Sequence, residues 1–121
     1  MSATEVLNEQ CVDAWSDYAE SASERELAEL TLALTLAAQR HPNSVDIDDL
    51  AEALAVDVDQ ASEILAQLLT QRLGEWQGSF LERASSNRYI LSVYGRALVS
   101  SSDEFGGDVP EVSEQEAEDW L

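Results

Sequence analysis

The chain contains no lysine, and all six of its basic residues are arginines. It has a single cysteine, Cys11, and a single histidine, His41. One cysteine excludes an intrachain disulfide and gives no secretion signature. One cysteine and one histidine thirty residues apart cannot assemble a zinc site or a nucleophile–base pair within one chain. The expectation is therefore no metal, no cofactor and no enzymatic activity. Also missing is any run of about 18 apolar residues, which argues against a membrane span. No basic segment precedes an apolar stretch near the start, so no secretory leader is read there. These absences together predict a cytoplasmic protein, and 121 residues with 45% apolar content suit one small domain with one core.

Acid is what the chain has in excess: 25 Asp and Glu against six arginines, a net charge of −19. High net charge accompanies disorder when apolar residues are few, but here the apolar residues are plentiful and periodic. The other physical reason is a surface adapted to molar salt, and the lysine-free acidic balance resembles that of haloarchaeal proteins. At low salt such a charge argues against a nucleic-acid partner. At about 1 M salt the Debye length is about 3 Å, so the charge of the contacting patch decides instead.

Residues 4–20 read as a helix with Leu7, Cys11, Ala14, Trp15 and Tyr18 along one face. Ser2 and Glu5 form a capping box before it. The stripe suits either an intramolecular core or a dimer helix. Its Trp and Tyr, outside the minimal motif described below, lead us to expect a homodimer interface of Leu7, Cys11, Trp15 and Tyr18, with Trp120 near the other end of the chain. Residues 24–41 read as a second helix, capped by Ser23 and Glu26, with Leu27, Leu30, Leu34, Ala37 and Ala38 inward and Leu32 and Leu36 widening that inner face. His41-Pro42-Asn43 ends it. Residues 44–47 suit a short strand or a helix start, residues 48–56 a short helix, and residues 58–73 a further helix capped by Asp57 and Gln60 and stopped by Gly74. A β-hairpin follows, with Trp76 and Phe80 before a polar turn over Arg83–Arg88 and a β-prone run over Tyr89–Val93. A short helix from Tyr94 closes the domain. The remainder reads mostly as a mobile acidic tail, although Ser113 and Glu116 make one more capping box before Trp120-Leu121.

The order helix, short helix, tight turn, helix, hairpin suits a helix-turn-helix. Leu50, the small Ala51, Leu54, Val56 in the turn, then Ala61, Leu65 and Leu68 supply its close helix crossing. The stretch Arg88-Tyr89-Ile90-Leu91-Ser92-Val93-Tyr94-Gly95-Arg96-Ala97-Leu98 resembles the YxLTxxGxxL junction of PadR- and MarR-type winged helix-turn-helix regulators, with Ser92 in place of Thr. The chain's size and acidity are also similar to those of haloarchaeal regulators that respond to reactive oxygen. The resemblance covers residues 24–100. It implies a mainly α fold with a small β-hairpin wing (α+β), an extra N-terminal helix over residues 1–22, a winged helix-turn-helix over residues 23–100 and an acidic tail over residues 101–121.

The resemblance also implies a symmetric dimer that regulates transcription on double-stranded DNA. The second helix of such a motif enters the major groove, which assigns Asp59, Gln60, Ser62, Glu63, Gln67, Gln71 and Arg72 to the DNA. Glutamine suits adenine edges and a carboxylate suits cytosine, but the acids sit badly against phosphates. The hairpin points the other way. Residues 64–102 hold four arginines and two acids, whereas the rest of the chain holds two arginines and 23 acids. Arg83 and Arg88 bracket the tip, and Ser85, Ser86 and Asn87 add phosphate donors. A protein-interaction module using the acidic helix face is the rival expectation. Asp46, Asp48 and Asp49 lack the glycine and the closing glutamate of a calcium loop and read as surface acids. Cys11, on an apolar helix face, reads as core before redox sensor. No small-molecule effector can be read from the residues.

Overall fold

The computed structural model describes residues 2–69, 72–73, 76–77, 79–102, 105 and 109–120. Helix α1 spans Ala3–Ser21, α2 Glu24–Arg40, α3 Ile47–Leu54, α4 Val58–Leu69, α5 Val93–Ser101 and α6 Glu114–Trp120. Strand β1 is Val45–Asp46, β2 Arg72–Leu73, β3 Trp76–Gln77, β4 Leu81–Ser85 and β5 Arg88–Leu91. The protein is mainly helical with a small three-stranded antiparallel sheet in the order β1-β5-β4, and β2 and β3 form a separate two-stranded ladder.

Local chemistry starts each helix. The side chains of Ser2, Ser23 and Ser113 accept hydrogen bonds from the backbone N–H of Glu5, Glu26 and Glu116 at 3.1, 3.1 and 3.2 Å, and Asp57 accepts from Gln60 at 2.8 Å. All four capping pairs legible in the sequence are formed, each satisfying an otherwise orphaned donor. Two more caps appear: Asp46 accepts from Asp48 at 2.9 Å and Ser92 from Gly95 at 3.1 Å. Helix α3 ends at Ala55, whose φ of 58° is left-handed. Val56 N–H then donates to Ala51 O at 3.0 Å, closing the turn that aims α4.

Helix α2 is central. Leu30, Ala33, Leu34, Ala37 and Ala38 line its inner face, and α3, α4, α5, β1 and β5 pack around it. Leu36 is half-buried against that core, but Leu32, expected to widen the inner face, is 42% exposed and lies off it. The junction from β5 to α5 explains the spacing of Tyr89, Leu91, Ser92, Gly95 and Leu98. Tyr89, Leu91 and Leu98 are core residues. Ser92 caps α5 and also donates to the carbonyl of Ser79. A Cβ on Gly95 would lie 2.1 Å from the Phe80 carbonyl oxygen, so no side chain fits there.

Four further expectations are corrected. First, Leu7, Cys11 and Trp15 are buried inside their own chain, where α1 packs on α5 and α6, and Trp15 stacks edge-on against Phe80 and Phe105. That face is spent on the core and is not free for a second copy. Tyr18, half-buried, bonds within the chain, and the side chain of Trp120 lies outside the described residues. Second, the segment read as mobile is anchored to the domain at described residues. Phe105, Val112 and Ala117 are buried, and the Glu114 carboxylate accepts from the N–H groups of Ala3 (2.6 Å) and Thr4 (3.3 Å), capping α1 from the far end of the chain. Third, α4 ends at Leu69 and not near Leu73, because Phe80 N–H takes the Leu68 carbonyl at 2.9 Å and Arg72–Leu73 pair with Trp76–Gln77 as a ladder. Fourth, β4 runs on through Ser85, so the turn is narrower than residues 83–88, with Arg83 paired to Tyr89 and a register shift before Ser85.

Candidate nucleic-acid interface

Helix α4 buries Ala61, Leu65 and Leu68, and this spacing leaves Asp59, Gln60, Ser62 and Glu63 exposed on its other side. The sequence placed those four correctly as outward residues. Asp57 caps the same helix, so three carboxylates ride on its first two turns, and α4 itself contains no arginine. Gln67 is a correction: its side-chain amide bonds Tyr18 Oη, which also bonds Glu26 Oε1 at 3.1 Å. It ties α4 to α1 and α2 and does not project outward. Burial and the Glu26 hydrogen bond push the Tyr18 phenol up to about 12, so this knot stays protonated. Gln71 lies outside the described residues, and of Arg72 only the backbone, in β2, is described.

Val58, at the first position of α4, is a residue the sequence reading overlooked. It is 41% exposed, one of two large apolar side chains so placed among the described residues. Helical periodicity does mark it as lying off the buried face, and that was the available signal.

The second part is the β4–β5 hairpin. Ser85, Ser86 and Asn87 are exposed at its tip. Arg83 is exposed, with Nη1 donating to Ser86 O at 3.2 Å and its guanidinium 5.5 Å from the centre of the Tyr89 ring. Arg88 turns back along β1. Its Nε donates to Ser44 Oγ at 2.7 Å, Nη2 donates to Ser44 O at 3.0 Å, and Nη1 lies 3.6 Å from Asp46. It therefore stitches β5 to the segment before β1, although the ion pair is about half-exposed and worth little by itself.

Arg96 leaves the basic patch altogether. It donates to Glu116 at 2.7 Å and to the carbonyls of Pro110 and Glu111. The positive excess read over residues 64–102 is thus partly neutralised by segments far away in sequence. Arg83 is the hairpin arginine without a carboxylate partner among the described residues.

The remaining chemistry is sparse. Burial pushes the Cys11 thiol up to about 12, which suppresses the reactive thiolate. Burial, and then the Arg96 charge, hold His41 below its usual value. No group of three or more His, Cys, Asp or Glu suited to a metal occurs among the described residues. No helix among them is long and apolar enough to cross a membrane. The chain matches no protein-family model, no curated protein and no solved structure.

Proposed function

We propose that this chain is a winged helix-turn-helix protein that binds double-stranded DNA and regulates transcription, with α4 in the major groove and the β4–β5 hairpin as the wing on the neighbouring backbone. One observation carries the reading. The α3–turn–α4 unit stands beside a β1-β5-β4 sheet, and the helix face and hairpin tip left uncovered by that packing hold the polar side chains. Gln60 and Ser62 offer hydrogen bonds to base edges, and Val58 suits a thymine methyl. Arg83 and the serines of the tip suit phosphates. The carboxylates of α4 repel phosphates, so this reading calls for high salt, where their field is screened within a few ångströms. Sensing of oxidants through Cys11 is disfavoured by its burial.

A second reading has its own support: the acidic N-terminal half of α4, with Arg88 and Arg96 already paired, suits a basic protein surface. A fluorescence-anisotropy titration with a random pool of labelled duplexes, run at several potassium chloride concentrations up to molar, separates the two. DNA binding is expected, weakened several-fold by Arg83→Ala whatever the sequence. Gln60→Ala with Ser62→Ala should instead change the selected sequence, since a good base contact discriminates by about 1–3 kcal/mol. Absence of duplex binding at every salt concentration overturns the DNA reading and leaves the protein-interaction one.

A further inference from the structure

Helix α4 packs on α2, α3 and β4 and buries Ala61, Leu65 and Leu68. Apolar burial is non-directional, so it holds the helix on the core without closely fixing its roll. Hydrogen bonds carry direction. The Leu68 carbonyl takes the Phe80 N–H at the end of α4. On its flank, Gln67 meets Tyr18 Oη from the last turn of α1, and the same oxygen lies 3.1 Å from Glu26 Oε1 on α2. The Tyr18 ring is itself held, stacked on Trp15 with centroids 6.1 Å apart, while Trp15 packs edge-on against Phe80 and Phe105. Three helices thus meet at one phenol oxygen.

A phenol has one hydrogen to give and can also accept, whereas an ionised carboxylate only accepts. The Tyr18 hydrogen therefore goes to Glu26, where the charged acceptor makes the stronger bond. Gln67 must then donate, and a half-turn of its side-chain amide brings the nitrogen to Oη. We infer that Tyr18 is a positioning residue for α4: its phenol, donating to Glu26 and accepting from the Gln67 amide, pins the helix to α1 and α2 and sets where Asp59, Gln60, Ser62 and Glu63 point. Gln67 stands one turn beyond Glu63, so the pin acts close to that exposed face. The pin stands on hydrogen bonding alone; its effect on DNA rests on the reading given above. A binding constellation tolerates about 0.5 Å or 10–20° of displacement. A loosened α4 should lose base discrimination first, because the phosphate contacts come from the hairpin.

Tyr18→Phe removes the phenol oxygen and keeps the ring. Gln67→Met removes the amide at similar size, and Gln67→Glu turns the donor into an acceptor. In the full chain at molar potassium chloride, the Gln67 side-chain NH2 should give a shifted, exchange-protected NMR signal that reverts to the free position in Tyr18→Phe. All three variants should speed amide exchange in α4 while α5 stays protected. Tyr18→Phe with Gln67→Met should cost no more than either alone, since the same bond is lost. With duplexes selected by the full chain, Tyr18→Phe should lower discrimination against random duplex by about fivefold, the worth of one weak base contact. The salt slope should not change, because no phosphate contact is lost. Unchanged α4 exchange in Tyr18→Phe overturns the pin, and unchanged exchange in Gln67→Glu overturns the proton assignment. Unchanged discrimination by a Tyr18→Phe chain that binds duplex overturns the positioning role. If no duplex binds at any salt, the DNA reading fails, and α4 exchange still decides the pin.

Discussion

At single positions the backbone sets terms that residue type alone does not reveal. Gly95 has no room for a methyl group, since the Phe80 carbonyl and the Leu91 side chain close on its Cα from one side. Gly95→Ala should destabilise the fold by about 3 kcal/mol, the upper part of the range for overpacking, because a backbone carbonyl cannot move aside as a flexible side chain can. Ala55 is the converse. It holds a left-handed φ of 58° at the end of α3, where glycine is the residue without a steric cost. Ala55→Gly should therefore be neutral or stabilising by up to about 1 kcal/mol. Urea unfolding of the two variants checks the pair: an Ala substitution tolerated at 95, or a Gly substitution clearly harmful at 55, contradicts the packing described. The sequence pointed to position 95 through the family-like spacing around it, but it gave no sign of position 55, where a left-handed turn is made without glycine.

Elements were legible wherever the information was local. The capping pairs Ser2/Glu5, Ser23/Glu26, Asp57/Gln60 and Ser113/Glu116 span three residues each, and each forms. What the sequence hid was settled by partners far along the chain. The Leu73–Trp76 pairing replaces a helical end, and the docking of Phe105 and Val112 converts an acidic tail into part of the core. Arg88 and Arg96 read as free positive charge for the same reason, because Ser44, Asp46 and Glu116 lie 44, 42 and 20 residues away from them. The caps allow a graded test. Ser23 is exposed and makes an ordinary cap, so Ser23→Ala should cost about 1 kcal/mol. Ser92 is buried, caps α5 and also donates to Ser79 O, so Ser92→Ala strands the buried Gly95 N–H and removes the donor from the half-buried Ser79 carbonyl. Its cost should exceed that of Ser23→Ala, reaching about 2–3 kcal/mol, and Ser92→Thr should recover most of it. Equal losses at the two sites in chemical denaturation would mean that the second hydrogen bond contributes nothing.

Over the whole molecule, the two ends of the chain meet, and carboxylates hold them. Glu114 lies below the usual carboxylate range because it accepts from the Ala3 and Thr4 N–H groups at the positive end of α1. Glu116 is lowered chiefly by its hydrogen bond from Arg96. A carboxylate whose folded value is depressed binds its proton more readily in the unfolded chain. Its stabilisation is fully present above the unfolded value near 4.3 and is lost as pH falls through the depressed folded value. Acid acts on the rest of the surface with the opposite sign: protonating some of the 25 acidic residues relieves repulsion in a chain of charge −19. The two effects separate in space. Amide exchange in α6 and at the start of α1 should accelerate together below about pH 4, while the α2 core stays protected. At pH 7, Glu116→Gln should loosen α6 in the same way, and salt should reproduce the effect only weakly because the Arg96 side chain is 16% exposed and poorly screened. Hydrogen exchange read by mass spectrometry across pH 3 to 7 decides it: uniform loss of protection across all helices on acidification would show that the ends of the chain are held by burial of Phe105, Val112 and Ala117 and not by these two carboxylates.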